Sequence, residues 1–462
     1  MPPTVENLAT QLHTLLASRE LRRARDLLID YRAPDIADCI NEIAPEDKAV
    51  LVRILPKDLA ADVFEHIDPD QQREILSALG DSRTAKLLNE MDPDDRTALL
   101  EEFPPAAARQ LVQLLSKEER QMALSLLGYP EHSVGRIMTP DYVAISPDAT
   151  VSETLERVRK IGLKFESNLH ILYVLDKQGK LVDDIRIRDI LISPLDSKIT
   201  DLMNGSFVCL QVTDDQETAV HTFKKYDRTA LPVIDSRGYM LGIVTVDDVL
   251  DIAEEEATED IQKIGAVEAL EDPYIRTPLF ELIRKRAGWL TVLFVGEMLT
   301  ASAMGFYEDE IKRAVVLALF IPLIISSGGN SGSQAATLII RSLAIGEVKL
   351  QDWVKVFRRE LITGFCLGMM LGILGFAKVA LWSSFGQVAT THWLPLAFVV
   401  AFSLLAVVLW GVITGAMLPF ALKRLGLDPA SSSAPFVATL VDVTGLVIYF
   451  SIASLLLRDI LL

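Results

Sequence analysis

Five long runs of apolar residues in the C-terminal part of this 462-residue chain limit the folds available to it. The runs cover residues 287–306, 314–340, 361–382, 394–420 and 435–457. Each holds about the 20 residues that a helix needs to cross the hydrocarbon core of a bilayer. Half of all residues are apolar, yet the formal net charge is −18. Together these features predict a membrane domain of five spans joined to a strongly acidic soluble part, and they argue against one uniform globular body.

Basic residues beside these runs predict how the spans are oriented. Arg284, Lys285 and Arg286 precede the first span. The connection after the second span contains Arg341, Lys349, Lys355, Arg358 and Arg359, and Lys423 and Arg424 follow the fourth. Cytoplasmic connections carry an excess of Lys and Arg. We therefore expect a multi-pass protein of the inner (plasma) membrane, with the long N-terminal part in the cytoplasm and the C-terminus outside.

The second run contains the polar stretch SSGGNSGSQAAT at 326–337, which has two interpretations. Small residues at this depth are typical of a seam where helices pack closely. Alternatively, the stretch lines a water-filled path, with backbone carbonyls freed around Gly328, Gly329 and Gly332. Packing does not explain Asn330 and Gln334, which lie one helical turn apart, and these two residues favour the path.

Ionisable residues within the spans indicate the charge of the species that would use such a path. Asp442 lies in the last span and Glu297 in the first, and no Lys or Arg occupies the middle of any span. A carboxylate at this depth is costly unless it faces the bundle interior or a water-filled cavity. Negative charge without buried positive charge favours a cation.

The first third of the chain repeats with a period of 24 residues. Pro45, Pro69 and Pro93 recur at this spacing, and so do Pro56, Gly80 and Pro104 between them. Asp68 and Asp92 are predicted N-caps, each followed by proline at the first helical position. The unit is a pair of short helices, and stacking of such units predicts a small α-solenoid. This solenoid either serves as an interaction scaffold or uses its acidic side chains directly as ligands.

From residue 134 onward a different, duplicated pattern begins. RIMTPDYVAISPDATVSETLERV resembles DLMNGSFVCLQVTDDQETAVHTF, and LYVLDKQGKLVDDIRIRDIL resembles LPVIDSRGYMLGIVTVDDVL, so that Val174 matches Val233. This strand–helix–strand–strand–helix pair resembles a tandem of CBS domains, a regulatory module that often binds adenine nucleotides. The first copy carries Asp183 and Arg186 where the family has a Gly-containing strand. Binding of ATP to the pair is left open.

The segment VDDVLDIAEEEATED, residues 246–260, follows and contains no basic residue. Runs of acids are usually solvated faces. Here Asp247, Asp251, Glu255 and Glu259 recur every fourth residue, so on a helix they share one face and repel one another. The alternative interpretation is that a bound cation neutralises this face, and oxygen ligands of this kind suit Mg²⁺ or Ca²⁺.

Three long segments resemble the MgtE family of magnesium transporters: residues 244–267, 326–348 and 415–450. The order of parts along nearly the whole chain is also similar. The resemblance implies a multidomain fold with an N-terminal α-solenoid of short helix pairs, tandem α/β CBS domains, a long connecting helix and a five-helix transmembrane domain. The expected boundaries are 1–132 for the helical N domain, 133–194 and 195–252 for the CBS domains, 253–283 for the acidic connecting helix and 284–462 for the transmembrane domain.

The resemblance further implies a homodimeric Mg²⁺-selective channel in the lipid bilayer, which imports Mg²⁺ down its electrochemical gradient through a pore between the protomers. Asp442 matches the pore aspartate of the family, and Ala434 stands where some relatives carry asparagine near the pore mouth. The candidate ion path comprises Asp442, Asn330, Gly328, Gly329, Thr337, Gln334 and Ala434.

Closure of the channel by Mg²⁺ that bridges the cytosolic domains is implied in the same way. The candidate regulatory ligands are Asp92, Asp95, Asp215, Glu217, Asp227, Asp247, Asp248, Asp251, Glu256, Glu259 and Asp260. Two other functions stay open: a broader transporter of Co²⁺, Mn²⁺ or another cation, and a membrane-anchored CBS nucleotide sensor. Nucleic acid is not an expected partner. An enzyme is not expected, because the six histidines are scattered and no nucleophile–base pattern occurs.

Overall fold

The computed structural model describes residues 5–161, 169–270, 274–275, 277–385 and 392–457. The chain forms two compact units, Met1–Ala253 and Glu254–Leu462. The first unit contains short helices followed by two small β-sheets, and the second contains the long apolar helices.

Ten short helices open the first unit. They are α1 (Val5–Ala17), α2 (Leu21–Leu28), α3 (Ala33–Glu42), α4 (Pro45–Ile54), α5 (Lys57–Glu65), α6 (Pro69–Ala78), α7 (Asp81–Glu90), α8 (Pro93–Glu101), α9 (Pro105–Leu114) and α10 (Lys117–Leu126). The even-numbered helices begin at residues 21, 45, 69, 93 and 117, and the odd-numbered ones from α3 begin at 33, 57, 81 and 105. The predicted 24-residue repeat of helix pairs is confirmed, and it extends beyond the prolines that revealed it. Most of these helices pack on the one two places further along, as α3 does on α5 and α5 on α7.

Proline starts several of these helices because the first helical N–H has no intrahelical partner to lose. Asp68 and Asp92 occupy the predicted N-cap positions, but neither side chain makes a capping hydrogen bond. The prediction is therefore right about position and wrong about the role of these side chains. The Asp68 carboxylate instead accepts a hydrogen bond from the Gln71 side chain at 3.2 Å, and the Asp92 N–H donates to Glu65 Oε1 at 2.8 Å.

Two similar three-stranded sheets complete the first unit. The strands are β1 (Ala144–Ile145), β2 (Ile171–Leu175), β3 (Leu181–Arg186), β4 (Leu210–Gln211), β5 (Ala230–Ile234) and β6 (Met240–Thr245), and the helices are α11 (Val151–Ile161), α12 (Ile187–Ile192), α13 (Gln216–Tyr226) and α14 (Val246–Ile264). In each sheet the first strand is parallel to the second and the second is antiparallel to the third. The register shifts directly after Val174 in one sheet and directly after Val233 in the other, so the predicted duplication is confirmed.

Asp183, which departs from the family pattern, lies opposite Val174 in the first sheet, where the second copy has Gly242 opposite Val233. Its side chain is completely buried. Oδ2 accepts hydrogen bonds from the backbone N–H groups of Asn204 and Gly205, at 2.7 and 2.9 Å. The carboxylate thus anchors the loop between the two copies.

The acidic helix α14 starts earlier and stops sooner than the predicted segment 253–283. It begins directly after β6 and ends where Ala266 adopts a left-handed backbone conformation with φ 58°. There the Val267 N–H bonds back to the Gln262 carbonyl at 3.0 Å, which closes the helix. Between this point and Leu279 the described residues form no helix.

The second unit is built from α15 (Leu279–Phe306), α16 (Glu308–Arg313), α17 (Ile321–Ala344), α18 (Trp353–Ser384), α19 (Trp393–Arg424) and α20 (Ala434–Leu457). Among the described residues, five helical segments are long and apolar enough to cross a membrane: Leu279–Phe306, Val315–Ala344, Leu350–Ser384, Trp393–Arg424 and Ala434–Leu457. The five predicted spans are confirmed in number and order. Helix α19 is the most buried of them and packs against α17, α18 and α20.

Glycines set the distance between α17 and α19. A Cβ atom added to Gly332 would lie 2.9 Å from the carbonyl oxygen of Gly411. One added to Gly328 would lie 2.5 Å from Cγ1 of Val407. Only hydrogen fits at these positions, so the backbones of the two helices approach closely.

Candidate functional site

The glycines and the polar side chains of residues 326–337 lie on opposite faces of helix α17. It is a continuous α-helix from Ile321 to Ala344, so the expectation that carbonyls are freed around the glycines is wrong. Gly328, Gly329 and Gly332 are buried because they recur on the face that packs against α19 and α20. The packing interpretation therefore explains the glycines, which do not interrupt the helix.

The opposite face of α17 is exposed and polar. Ser326, Asn330, Gln334 and Thr337 are exposed and follow one another at intervals of three or four residues, and we call them the polar stripe. Thr337 Oγ1 donates to the Ser333 carbonyl at 2.9 Å, and Asn330 lies 3.4 Å from the Ser326 hydroxyl. The amide groups of Asn330 and Gln334 retain hydrogen-bonding capacity that lipid cannot satisfy.

Asp442 of α20 lies beside this helix. A Cβ atom built on Gly329 would lie 3.5 Å from Asp442 Oδ1, so the carboxylate is close to the α17 backbone. Its side chain is half-buried. Ala434 begins α20, and its carbonyl accepts a hydrogen bond from Ser333 Oγ at 2.9 Å. The predicted ion-path residues therefore divide into exposed polar side chains, a half-buried acid and buried glycines that hold the helices together.

An open groove of about 460 Å³ runs along one end of the polar stripe. It is lined by Ser333, Gln334, Thr337 and Leu338. Polar groups on the outer face of a membrane span are costly against hydrocarbon. In the membrane this face therefore has to meet water or another protein surface.

A cluster of carboxylates marks the first unit. Asp92 at the N-cap of α8 and Asp94 and Asp95 in its first turn each place one carboxylate oxygen within 4.8 Å of the others. Asp94 Oδ1 is buried and has no hydrogen-bond partner among the described residues. Glu65 of α5 adds its negative charge to this group. Oxygen donors in this arrangement suit a hard divalent cation.

The start of α14 brings further negative charge to the same place. Asp247 and Asp248 act electrostatically on Asp92, Asp94 and Asp95. Asp248 Oδ2 accepts a hydrogen bond of 2.5 Å from Thr245 Oγ1 at the end of β6. We call these five aspartates together with Glu65 the acidic cluster.

Burial and mutual repulsion alter the ionisation of the acidic cluster. Burial, followed by the charge of Asp248, raises the pKa of Asp95 to about 7. Burial likewise raises the pKa of Asp248 to about 7, against the opposing hydrogen bond from Thr245. Burial and the charge of Asp95 raise the pKa of Glu65 to about 8. The pKa of Asp94 is raised in the same direction, first by burial and then by Asp248. A cation in this cluster would reverse these shifts.

The structure does not gather all predicted regulatory residues at the acidic cluster. Asp251 acts on Asp95 and Asp248 there. Asp215 and Asp227 instead lie at the two ends of α13, where Asp215 caps the helix by accepting the Glu217 N–H at 2.9 Å. Both have exposed side chains, as does Glu217.

The predicted residues Glu256, Glu259 and Asp260 belong to the second unit. Glu259 forms an ion pair with Lys263 of the same helix. The Lys263 ammonium also contacts Asp428 Oδ2 at 2.7 Å, just before α20. Burial lowers the pKa of Lys263, but the hydrogen bonds to Asp428 and Glu259 outweigh it and leave the pKa raised. A lysine thus already bridges two carboxylates at this point.

Sequence reasoning missed Asp94, Glu65, Lys263 and Asp428. Asp94 stands between two named candidates in the segment DPDD, so its position was a usable signal. Glu65 lies 27 residues before its partner Asp92, and no spacing pattern connects them. The contact between Lys263 and Asp428 spans 165 residues and depends on tertiary packing.

Three family models and several full-length relatives match this chain. A family model described as a divalent cation transporter matches residues 321–452, and the MgtE intracellular N domain matches 31–132. CBS domains match 134–195 and 199–255. The chain is 38% identical to the magnesium transporter MgtE of Thermus thermophilus over 98% of this chain and 99% of that protein. It is 35% identical to the magnesium transporter MgtE of Enterococcus faecalis over 98% of both chains.

A solved structure supports the fold of the first unit. The crystal structure of the cytosolic domain of the Mg²⁺ channel MgtE in complex with ATP is 33% identical and covers 53% of this chain and 99% of its own, with a TM-score of 0.51. The full-length relatives are transporters, so the prediction that this chain is not an enzyme is confirmed.

Proposed function

This chain belongs to the MgtE family, and on that premise we propose that it imports Mg²⁺ through a gated path between two copies of its membrane domain. The polar stripe of α17 and Asp442 of α20 would line this path. The observation that carries the proposal is the exposure of Asn330 and Gln334 on the outer face of a membrane span.

A second copy of the chain is the partner that suits this exposed face. A twofold axis would place the polar stripe of one protomer opposite the same stripe of the other, because a twofold interface pairs a surface with itself. The two stripes would then enclose water instead of facing lipid. Each protomer would contribute one Asp442, so that the path carries a pair of carboxylates.

The chemistry of this lining suits Mg²⁺. The ion is small, loses its water reluctantly and prefers oxygen ligands in octahedral geometry. Amide, hydroxyl and carboxylate oxygens at the stripe can hold the ion through its own waters, so full dehydration is not required. The inside-negative membrane potential favours entry of a divalent cation by ~4.6 kcal/mol per 100 mV. The chain has no P-loop motif, and the proposed transport runs down the electrochemical gradient.

The acidic cluster is the proposed gate sensor. Without Mg²⁺ its carboxylates repel one another, and with Mg²⁺ they are neutralised, which would favour packing of α8 against the start of α14. A shift of a gate from mostly open to mostly closed needs about 5.5 kcal/mol of differential binding. Several weak sites would supply this together, and Asp215, Glu217, Asp227, Asp251, Glu256, Glu259 and Asp260 remain further candidates.

The remaining assignments follow from the same premise. We place the N domain at 1–132, the CBS domains at 133–194 and 195–252, the connecting segment at 253–283 and the membrane domain at 284–462. Residues 1–283 would lie in the cytoplasm and the membrane domain in the plasma membrane. Binding of ATP by the CBS pair is proposed from the solved relative that contains it.

Ion flux into proteoliposomes tests this function. Wild-type protein should take up Mg²⁺ faster when the interior is negative, and uptake should fall as Mg²⁺ on the side of the cytosolic domains rises. Uptake of Co²⁺ or Mn²⁺ at equal rates would favour the broader divalent transporter. Absence of any uptake by folded protein would contradict the proposal and favour a membrane-anchored sensor.

A further inference from the structure

Glu297 occupies an unusual position for a charged residue. It lies within α15, the first of the five spans, and its side chain is exposed in the protomer. Among the described residues of α15, Thr300 alone is buried, so most of the surface of this helix faces surroundings outside the protomer. A carboxylate at this depth requires water or protein around it instead of lipid.

Contacts between α15 and α20 fix the level of Glu297 relative to Asp442. The rings of Tyr307 and Phe450 stack with their centroids 4.9 Å apart. A Cβ atom on Gly296 would lie 2.7 Å from Cγ2 of Thr439. Both pairs are separated by 143 residues, so the two helices run parallel and keep this register over residues 296–307.

This register places Glu297 level with residue 440, about 3 Å along the helix axis from Asp442. The Glu297 carboxylate acts electrostatically on that of Asp442. No basic side chain of the described residues forms an ion pair with either of them. Two neighbouring carboxylates in a medium of low polarity favour a cation between them.

Thr300 supplies an independent sign of an occupied site. Its side chain is 8% exposed, and its buried Oγ1 has no hydrogen-bond partner among the described residues. It lies one helical turn after Glu297 on the side of α15 that packs against α20. In the same register it is level with residue 443, adjacent to Asp442. A buried hydroxyl without a partner at this level indicates a missing polar neighbour, such as ordered water around an ion.

We propose that Glu297 is a second acidic determinant of the cation site at Asp442, so that each protomer presents two carboxylates to a hydrated divalent cation. The proposal rests on the proposed function and deepens it. The Thr300 hydroxyl would hold one of the waters of the ion. In a dimer the site would carry four carboxylates, which raises its affinity for a divalent cation over a monovalent one.

The test is the concentration dependence of Mg²⁺ uptake by the full-length protein in proteoliposomes. Glu297→Gln keeps the shape of the side chain and removes its charge, and Glu297→Asp restores the charge. Glu281→Gln, in the first turn of the same helix, is the matched control. We expect Glu297→Gln to raise the half-saturating Mg²⁺ concentration at least about fivefold with a smaller change in maximal rate. Glu297→Asp should recover most of this loss, and Glu281→Gln should behave as wild type.

An unchanged half-saturating concentration in Glu297→Gln would overturn the inference, even if the maximal rate fell through altered packing. Failure of Glu297→Asp to recover function would also overturn it, since a charge-based role predicts rescue. Wild-type protein that transports no Mg²⁺ would refute the proposed function itself. A third outcome is that wild type transports Mg²⁺, Asp442→Asn does not, and Glu297→Gln has the half-saturating concentration of wild type. This result would support the proposed function and exclude Glu297 from the cation site.

Discussion

Gly415 of α19 lies directly against the backbone carbonyl of Gly332 on α17, closer than a methyl group can approach. The same relationship holds between Gly411 and the carbonyl of Gly328 one turn earlier. These contacts bring the two backbones together on one face of α17 and leave Asn330 and Gln334 on the other. The glycines thereby determine which way the polar stripe faces.

Gly415→Ala should disrupt this contact. The added methyl group would collide with a backbone carbonyl, which cannot move as a flexible side chain could, so we expect a loss of about 1–3 kcal/mol of stability. Gly305→Ala is the control, because a Cβ atom there meets nothing within 4 Å. Thermal unfolding in detergent should show a lower midpoint for Gly415→Ala than for wild type and no decrease for Gly305→Ala. Equal midpoints for all three proteins would contradict the packing account.

Water should reach the polar stripe in the assembled membrane protein. We expect Asn330→Cys and Gln334→Cys, made with Cys366→Ala, to react with a charged, water-soluble thiol reagent and to lose Mg²⁺ uptake on reaction. Ile373→Cys on α18 is the control, since Ile373 is 61% exposed in the protomer and the residues one helical turn before and after it are apolar. Reaction at all three positions, or only at residue 373, would show that the stripe does not line the path.

Asp95→Asn should weaken closure of the gate. The substitution removes one charge from the acidic cluster and thereby lowers its affinity for Mg²⁺. We expect the Mg²⁺ concentration that halves uptake to rise about fivefold, a loss of about 1 kcal/mol. Asp196→Asn, at an exposed site away from the cluster, should leave it unchanged. The same half-closing concentration in both variants would exclude Asp95 from the sensor.

Stability of the Mg²⁺-free cytosolic unit should fall as pH rises. The pKa values of Asp95 and Asp248 are about 7 and that of Glu65 is about 8 in the fold, against 3.8 for aspartate and 4.5 for glutamate without it. Between these limits the folded protein binds more protons than the unfolded chain, so the free energy of unfolding decreases with pH. The contribution of these three carboxyl groups to the free energy of unfolding is largest near pH 4 and is lost by about pH 8.

Mg²⁺ requires ionised carboxylates and should remove most of this dependence, because its binding gains strength as the protons leave. Thermal unfolding of the full-length protein across this range, with Mg²⁺ and with a chelator, measures both effects. If the midpoint of thermal unfolding in chelator rose with pH, the result would contradict a cluster with raised pKa values.

Periodic features could be read from the sequence because they depend on local geometry. The 24-residue spacing of Pro45, Pro69 and Pro93 predicted the helix pairs, and apolar run length predicted five spans. For residues 326–337 the packing interpretation is confirmed on the face that carries the glycines, and the water-filled path stays a prediction for the opposite, polar face. Composition alone could not separate them, since helical spacing places Gly328 and Gly332 on one side and Asn330 and Gln334 on the other.

Features that depend on distant contacts could not be read in this way. Glu65 reaches the N–H of Asp92 across two intervening helices of the chain, and Lys263 meets Asp428 from a different part of the sequence. The capping roles of Asp68 and Asp92 failed for a related reason. Each occupies the expected position, but other partners are present: Gln71 of the same helix donates to the Asp68 side chain, and the distant Glu65 accepts from the Asp92 N–H.

The most direct test of the ion path is Mg²⁺ uptake by the Asp442→Asn variant in proteoliposomes. Asparagine keeps the size of the side chain beside Gly329 and removes the charge that the proposed path presents to the ion. We expect the variant to fold, to insert as wild type does and to lose at least about a hundredfold in uptake rate. Uptake at the wild-type rate would show that Asp442 is structural and that Mg²⁺ crosses the membrane elsewhere.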